Sequence, residues 1–241
     1  MLDAVFISDL HLHPQAEEIT KRFEGFTKWA ATNTRSIYIL GDFFHAWAGD
    51  DTIEAWSLTI ANQLKSLVSQ GIKIFFMHGN RDFLVGREFS RMAHITLLPE
   101  PSVIKLADTP ILLVHGDRYC TQDKAHQRFR RLTRNALFTW LFLHIPKTIR
   151  QKMVARVRQH SQNNRAKPIN QMAIESSAML NHMQRYQVKL LIHGHTHKPG
   201  LTKHYFKGNL FNQYVLSDWD DNPQLLCYHK TKGFYFTHIY L

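Results

Sequence analysis

The hydrophobic positions fall into short solid runs separated by stretches with helical spacing. Ala4–Ile7, Ser36–Leu40 and Ile72–Met77 are apolar runs of strand length, each ending on polar residues. Between the first two, Ile19, Phe23, Phe26 and Ala30 recur with helical spacing behind Pro14, a residue that can open a helix. Ile53, Trp56, Ile60, Leu64 and Leu67 predict a second amphipathic helix, closed by Gly71. Val103–Leu106 and Ile111–Val114 flank Ala107-Asp-Thr-Pro110, which predicts a hairpin turn. Strand patterns then cease. Helices are predicted over Asp123–Asn135, Phe138–Gln159 and Ile169–Tyr186, punctuated by Pro146 and Pro168. Strands resume at Val188–Ile192, Gln213–Leu216, Leu225–His229 and Phe234–His238, with no internal repeat and no low-complexity linker. The pattern predicts a layered α/β core carrying a helical insertion.

Composition agrees with that picture. The 241 residues are 44% hydrophobic and 20% charged, which suits one folded domain with a substantial core. Two cysteines, Cys120 and Cys227, cannot form a disulfide framework, and the N-terminus lacks the basic and long apolar regions of a signal peptide. A reducing compartment is expected.

Charge changes the picture more. The chain carries a formal net charge of +11, and between Arg118 and Lys167 there are 13 Lys/Arg and one acidic residue, Asp123. The insertion therefore holds the whole basic excess. It also contains Ala136–Ile145, the most apolar stretch of the chain, at ten residues too short to cross a bilayer.

Candidate chemistry sits where the strands end. Five of them terminate in Asp9-Leu-His11, Gly41-Asp42, Gly79-Asn80-Arg81-Asp82, His115-Gly116-Asp117 and His193-Gly194-His195-Thr196-His197. Strand C-termini along one edge of an α/β core converge, and carboxylates, imidazoles and an amide brought together suit divalent metals. Glycine beside the clusters permits close backbone approach. Alternation along an extended strand end would put His195 and His197 on one side with Thr196 facing away. His13, His78 and His193 read as structural or supporting, and Asp117 as a residue that orients a ligand or caps the insertion. Trp47 reads either as core or as part of an acyl pocket.

The ordered set D-x-H, G-D, G-N-[HR]-D, H-G-D and G-H-x-H resembles that of the calcineurin-like metallophosphoesterases. Within them, Leu40–Asp51, His78–Leu84 and Leu191–His197 are similar to the UDP-2,3-diacylglucosamine hydrolase family of Gram-negative lipid A biosynthesis. The resemblance covers essentially the full chain. It implies a four-layer α/β (α+β) sandwich of two mixed sheets flanked by helices, one domain over residues 1–241 with a helical lid at about 120–186. It further implies two metal sites, Asp9, His11 and His197 at one and Asn80, His115 and His195 at the other, bridged by Asp42. The ions implied are Mn²⁺, although the ligand set accepts other divalent metals. Asn80, Arg81 and His195 would be catalytic and would touch substrate, and Asp123, Ser161, Asn164 and Lys167 of the lid would contact the acylated sugar phosphate. His126 stands where the family typically has Tyr, and His45 where it has an acidic residue.

Arg81 bears on the reaction directly. Arginine is no proton donor, but it offers a fixed fork to phosphate oxygens. That suits a phosphoanhydride, whose leaving phosphate monoester has a second pKa of about 6 and departs unprotonated. The expected reaction is two-metal attack of hydroxide on the α-phosphorus of UDP-2,3-diacylglucosamine, giving lipid X and UMP. For Ala136–Ile145, bordered by Arg128, Arg130, Arg131 and Arg134 and by Lys147, Arg150 and Lys152, two readings stand: a buried lid helix, or a face for an anionic membrane. The second predicts attachment peripheral to the cytoplasmic side of the inner membrane; a monomer with no nucleic-acid partner is expected. A two-metal nuclease or other phosphodiesterase is the alternative, but nucleic-acid binders interleave cations with stacking aromatics. A non-enzymatic membrane module needs no complete ligand set.

Overall fold

The computed structural model describes residues 1–163 and 173–238, and the side chains of 160–163 lie outside that description. Four parallel strands, β1 (Ala4–Ile7), β2 (Ser36–Leu40), β3 (Lys73–Met77) and β4 (Thr96–Leu98), begin the first sheet. Its antiparallel flank is β10 (Gln224–His229) and β11 (Gly233–His238), in the order β11-β10-β1-β2-β3-β4. The second sheet is ordered β5-β6-β7-β9-β8, from β5 (Ser102–Leu106), β6 (Thr109–Leu113), β7 (Leu190–His193), β8 (Gly200–Phe206) and β9 (Asn209–Val215). Both sheets are mixed, as expected.

Strands of solid apolar composition are those buried on both faces. Ala4, Phe6, Tyr38, Leu40 and Met77 of the first sheet meet Ile111, Leu113 and Ile192 of the second. Their alternates Val5, Ile7, Ile39 and Phe76 face outward onto α1 (Glu17–Asn33), α2 (Ala55–Ser69) and α3 (Arg87–Ala93), through Phe23, Phe26, Leu64 and Phe89. Leu112, Val114 and Leu191 pack on Met179, Leu180 and Met183 of α7 (Ser176–Arg185). The result is helix, sheet, sheet, helix. Gly71 (φ +90°) ends α2 as predicted.

Three elements lie outside the sequence expectation: α3, β4 and β8. β4 spans three residues and α3 seven, and β8 is an edge strand with a mostly exposed alternation, so none carries a strong hydrophobic period. Pro110 lies within β6, opposite Lys105, and the hairpin turns at Ala107-Asp108. The insertion runs through α4 (Lys124–Thr133), α5 (Ala136–Leu143) and α6 (Lys147–Asn163). The helical stretch expected over Phe138–Gln159 is divided into α5 and α6 at Pro146, where punctuation was expected.

Candidate metal centre

The five polar clusters follow β1, β2, β3, β6 and β7 and meet at one edge of the sandwich. Their backbone is unusual. Asp9, His11, Asp42, His195 and His197 all have φ between 51° and 69°, a region that side-chain-bearing residues seldom occupy and that concentrates at functional sites. Neighbouring glycines make room. A Cβ on Gly79 would lie 2.1 Å from Asp42 Oδ1, and one on Gly194 2.3 Å from Asp9 Oδ2. The strand alternation expected for His195 and His197 does not occur, because β7 ends at His193 and both residues lie in left-handed turns. The turn sends them to different clusters.

Asp9, His11 and His197 bring one ligand atom each within 4.8 Å of one another, and so do Asp42, His115 and His195. Asn80 joins the second group, its Oδ1 lying 2.9 Å from His115 Nε2. Both ring nitrogens of His11 and Oδ1 of Asp9 are buried without a hydrogen-bond partner. Buried polar atoms left this way cost stability unless something completes them, and an oxygen and an imidazole lone pair fit a divalent cation.

Electrostatics point the same way. Burial opposes charge on His115, yet Asp42, Asp9 and Asp117 raise it to about 9. Burial likewise opposes charge on His197, and its pairings with the Asp218 and Asp9 carboxylates raise it to about 10. The same interactions hold the Asp9 carboxyl far below its ordinary range against the effect of burial. Burial lowers His11 to about 3 and His195 to about 4, helped by Arg81 and His115 respectively, so both imidazoles are neutral near pH 7. The carboxylates thus draw positive charge into the position where cations would stand.

Supporting residues hold these groups still. His197 Nδ1 lies 3.1 Å from Asp218 Oδ2, the carboxylate–imidazole pairing typical of metal ligands. Nothing in the sequence marks Asp218, which lies in a polar loop between two strands. His115 Nδ1 pairs with the Leu40 carbonyl at 2.9 Å, directing Nε2 at the cluster. Asp82, raised to about 6 by burial and the nearby Asp42 charge, accepts the N–H groups of Gly79 (2.7 Å) and Phe43 (2.8 Å). It fastens the β2 loop to the β3 loop, and Arg81 pairs with Asp42, Nε to Oδ2 at 3.2 Å. His193 bonds Gly194 O and Gln213, and His78 bonds Val85 O, both structural as expected. Trp47 is core: it is 4% exposed, stacks on Phe44 and donates to Asp50 Oδ1.

The insertion is fastened to the core by residues that sequence alone presents as a basic fringe. Arg130 spans Asp117 (3.1 Å) and Glu100 (2.7 Å). Arg134 donates to the carbonyls of His78 (3.1 Å) and Gly79 (3.0 Å). Arg150, 1% exposed, donates to Ala48 O and Ile145 O and pairs with Asp51. These three are therefore unavailable to a membrane, whereas Arg128, Arg131, Lys147 and Lys152 are exposed. Asp117 pairs with Arg130 of the insertion and lies 3.5 Å from His126 Nε2, whose ring stacks on His195. Asp123 accepts the His126 N–H at the start of α4. Ser161 lies in α6, with its side chain outside the described residues, as are Asn164 and Lys167 altogether. Of the apolar run, Phe142 is buried while Leu137 (66%), Trp140 (56%) and Leu141 (53%) face solvent. Among the described residues, no helix is long and apolar enough to cross a membrane.

The calcineurin-like phosphoesterase family model matches residues 3–199. A Pseudomonas paraeruginosa protein named UDP-2,3-diacylglucosamine hydrolase is 42% identical over 220 residues, 91% of this chain and 92% of that one. A Pseudomonas entomophila protein of the same name is 39% identical over 217 residues, 90% of each. The chain belongs to the calcineurin-like phosphoesterase family, and within it stands with the relatives named UDP-2,3-diacylglucosamine hydrolase.

Proposed function

We propose that this enzyme hydrolyses the pyrophosphate bond of UDP-2,3-diacylglucosamine in lipid A biosynthesis, releasing UMP and 2,3-diacylglucosamine 1-phosphate (lipid X). The observation that carries this reading is a pair of ligand clusters, with Arg81 against Asp42, beneath a lid with an exposed apolar face. Two divalent cations, Mn²⁺ in this proposal, would supply Lewis-acid stabilisation and a water of lowered pKa. Asp9, His11 and His197 would hold one, Asn80, His115 and His195 the other, and Asp42 would touch both.

The chain's own groups do the rest. Arg81 offers its fork to the oxygens of the α-phosphate as charge grows there. Asn80 and the neutral His195 imidazole border the same position. The departing sugar phosphate needs no proton, which matches a site with arginine after Asn80. Asp123, Ser161, Asn164 and Lys167 would meet the acylated sugar phosphate.

The lid supports peripheral attachment to the cytoplasmic face of the inner membrane. Leu137, Trp140 and Leu141 of α5 are exposed, and so are Arg128, Arg131, Lys147 and Lys152 of the neighbouring helices α4 and α6. Apolar insertion plus about 1 kcal/mol per basic residue near anionic headgroups suits a surface that holds the substrate.

Turnover in ¹⁸O-water, with Mn²⁺ restored after chelation, tests the reaction. Label in UMP is expected. Label in the lipid phosphate would place the attack on the other phosphorus, and full activity without metal would overturn the two-metal reading.

A further inference from the structure

Glu100 precedes β5, outside every motif of the metal centre, yet its side chain is only 4% exposed. Its Oε1 accepts the backbone N–H of His115 at 3.2 Å. Its Oε2 takes Arg130 at 2.7 Å and lies 3.5 Å from Arg134. Arg130 in the last turn of α4 and Arg134 at its C-cap are four apart and so lie on one side of the helix end. Arg130 continues to Asp117, two residues beyond His115, and Arg134 to the carbonyls of His78 and Gly79, immediately before Asn80. Asn80 and His115 in turn touch each other at 2.9 Å. One buried carboxylate and one helix end therefore grip both loops that meet at the second cluster. No comparable contact from α4 reaches Asp9, His11 or His197 among the described residues.

We propose that Glu100 and Arg134 form a positioning clamp through which the insertion acts on the second metal site, at Asn80 and His115, far more than on the first. The inference rests on the two-metal reading above. A residue that orients ligands without touching the ion typically contributes 10–100-fold to metal affinity. The clamp requires that this loss fall on one site of the two.

Arg134→Ala in the full chain, stripped of metal and titrated with Mn²⁺, tests this by calorimetry and electron paramagnetic resonance. The first Mn²⁺ is expected to bind within about twofold of the wild type, and the second roughly 10–100-fold more weakly. The exchange-coupled signal of paired ions should recede while the mononuclear signal persists. Glu100→Gln keeps the shape, removes the charge and should give the same split, so a folding failure of either variant leaves the other decisive. An unchanged second step with the coupled signal intact overturns the clamp alone, and so does equal weakening of both steps. A wild type that binds a single Mn²⁺ overturns the two-metal reading and the clamp with it.

Discussion

Asp42 meets Arg81 twice: its Oδ1 accepts the Arg81 backbone N–H at 2.9 Å, and its Oδ2 lies 3.2 Å from the guanidinium Nε. The Nε–H makes no hydrogen bond, so the side-chain contact is coulombic and not a locked fork. Cations that neutralise Asp42 would free the guanidinium for phosphate. Arg81→Lys keeps the charge but loses the planar donors. Turnover is expected to fall about 100-fold with metal content unchanged, read by steady-state kinetics beside metal analysis. Retained turnover would assign Arg81 to charge balance alone.

Metal uptake should release protons. A metal needs neutral imidazole, and His115 (about 9) and His197 (about 10) are protonated near pH 7 without one. Each site therefore gives up about one proton, and its apparent affinity should rise about tenfold per pH unit between pH 6 and 8. Calorimetry in buffers of differing ionisation enthalpy counts those protons directly.

The same two histidines set the pH dependence of the metal-free fold. Their folded values lie above the ordinary 6.5, so their stabilisation is fully present below that pH. It is lost as pH rises through about 9 and 10. Chelated protein should melt at a lower temperature at pH 10 than at pH 6.5, whereas metal-loaded protein should not show that loss.

Arg150 ties α6 to the loop after β2. Replacing it with alanine strands the Ala48 and Ile145 carbonyls and leaves a void. With Asp51 half exposed, the lower end of the cost of a broken buried pair applies, about 3 kcal/mol. Urea unfolding measures it; a change below about 1 kcal/mol would show that Arg150 adds little to the docking of the insertion.

Membrane attachment is best tested at Leu137 and Trp140, because Phe142 is 9% exposed and its replacement would disturb packing. The double variant Leu137→Glu, Trp140→Glu should lose most flotation with anionic vesicles while keeping its melting temperature and its turnover of detergent-dispersed substrate. Undiminished flotation would remove α5 from the membrane.

Much of this architecture is written locally. Ala4–Ile7 and Ser36–Leu40 are solid apolar runs because two layers bury them, and burial on both faces leaves its mark in composition alone. Candidate ligands were legible for a similar reason: such chemistry favours particular side chains at strand ends, and Asp9, Asp42 and His115 stand there in the sequence. An edge strand such as β8, with little to bury, leaves no such mark.

The remainder depends on partners distant in the chain. His195 and His197 reach different clusters through left-handed turns that no alternation rule contains. Arg130, Arg134 and Arg150 are indistinguishable in sequence from Arg128 and Arg131, since charge belongs to one residue and its role to a pair. Only the packed lid, which sets Glu100, Asp117 and Asp51 against them, separates bolts from solvated cations. The sequence determined the layers and the chemistry; tertiary contact decided which charges hold the lid and which ones face outward.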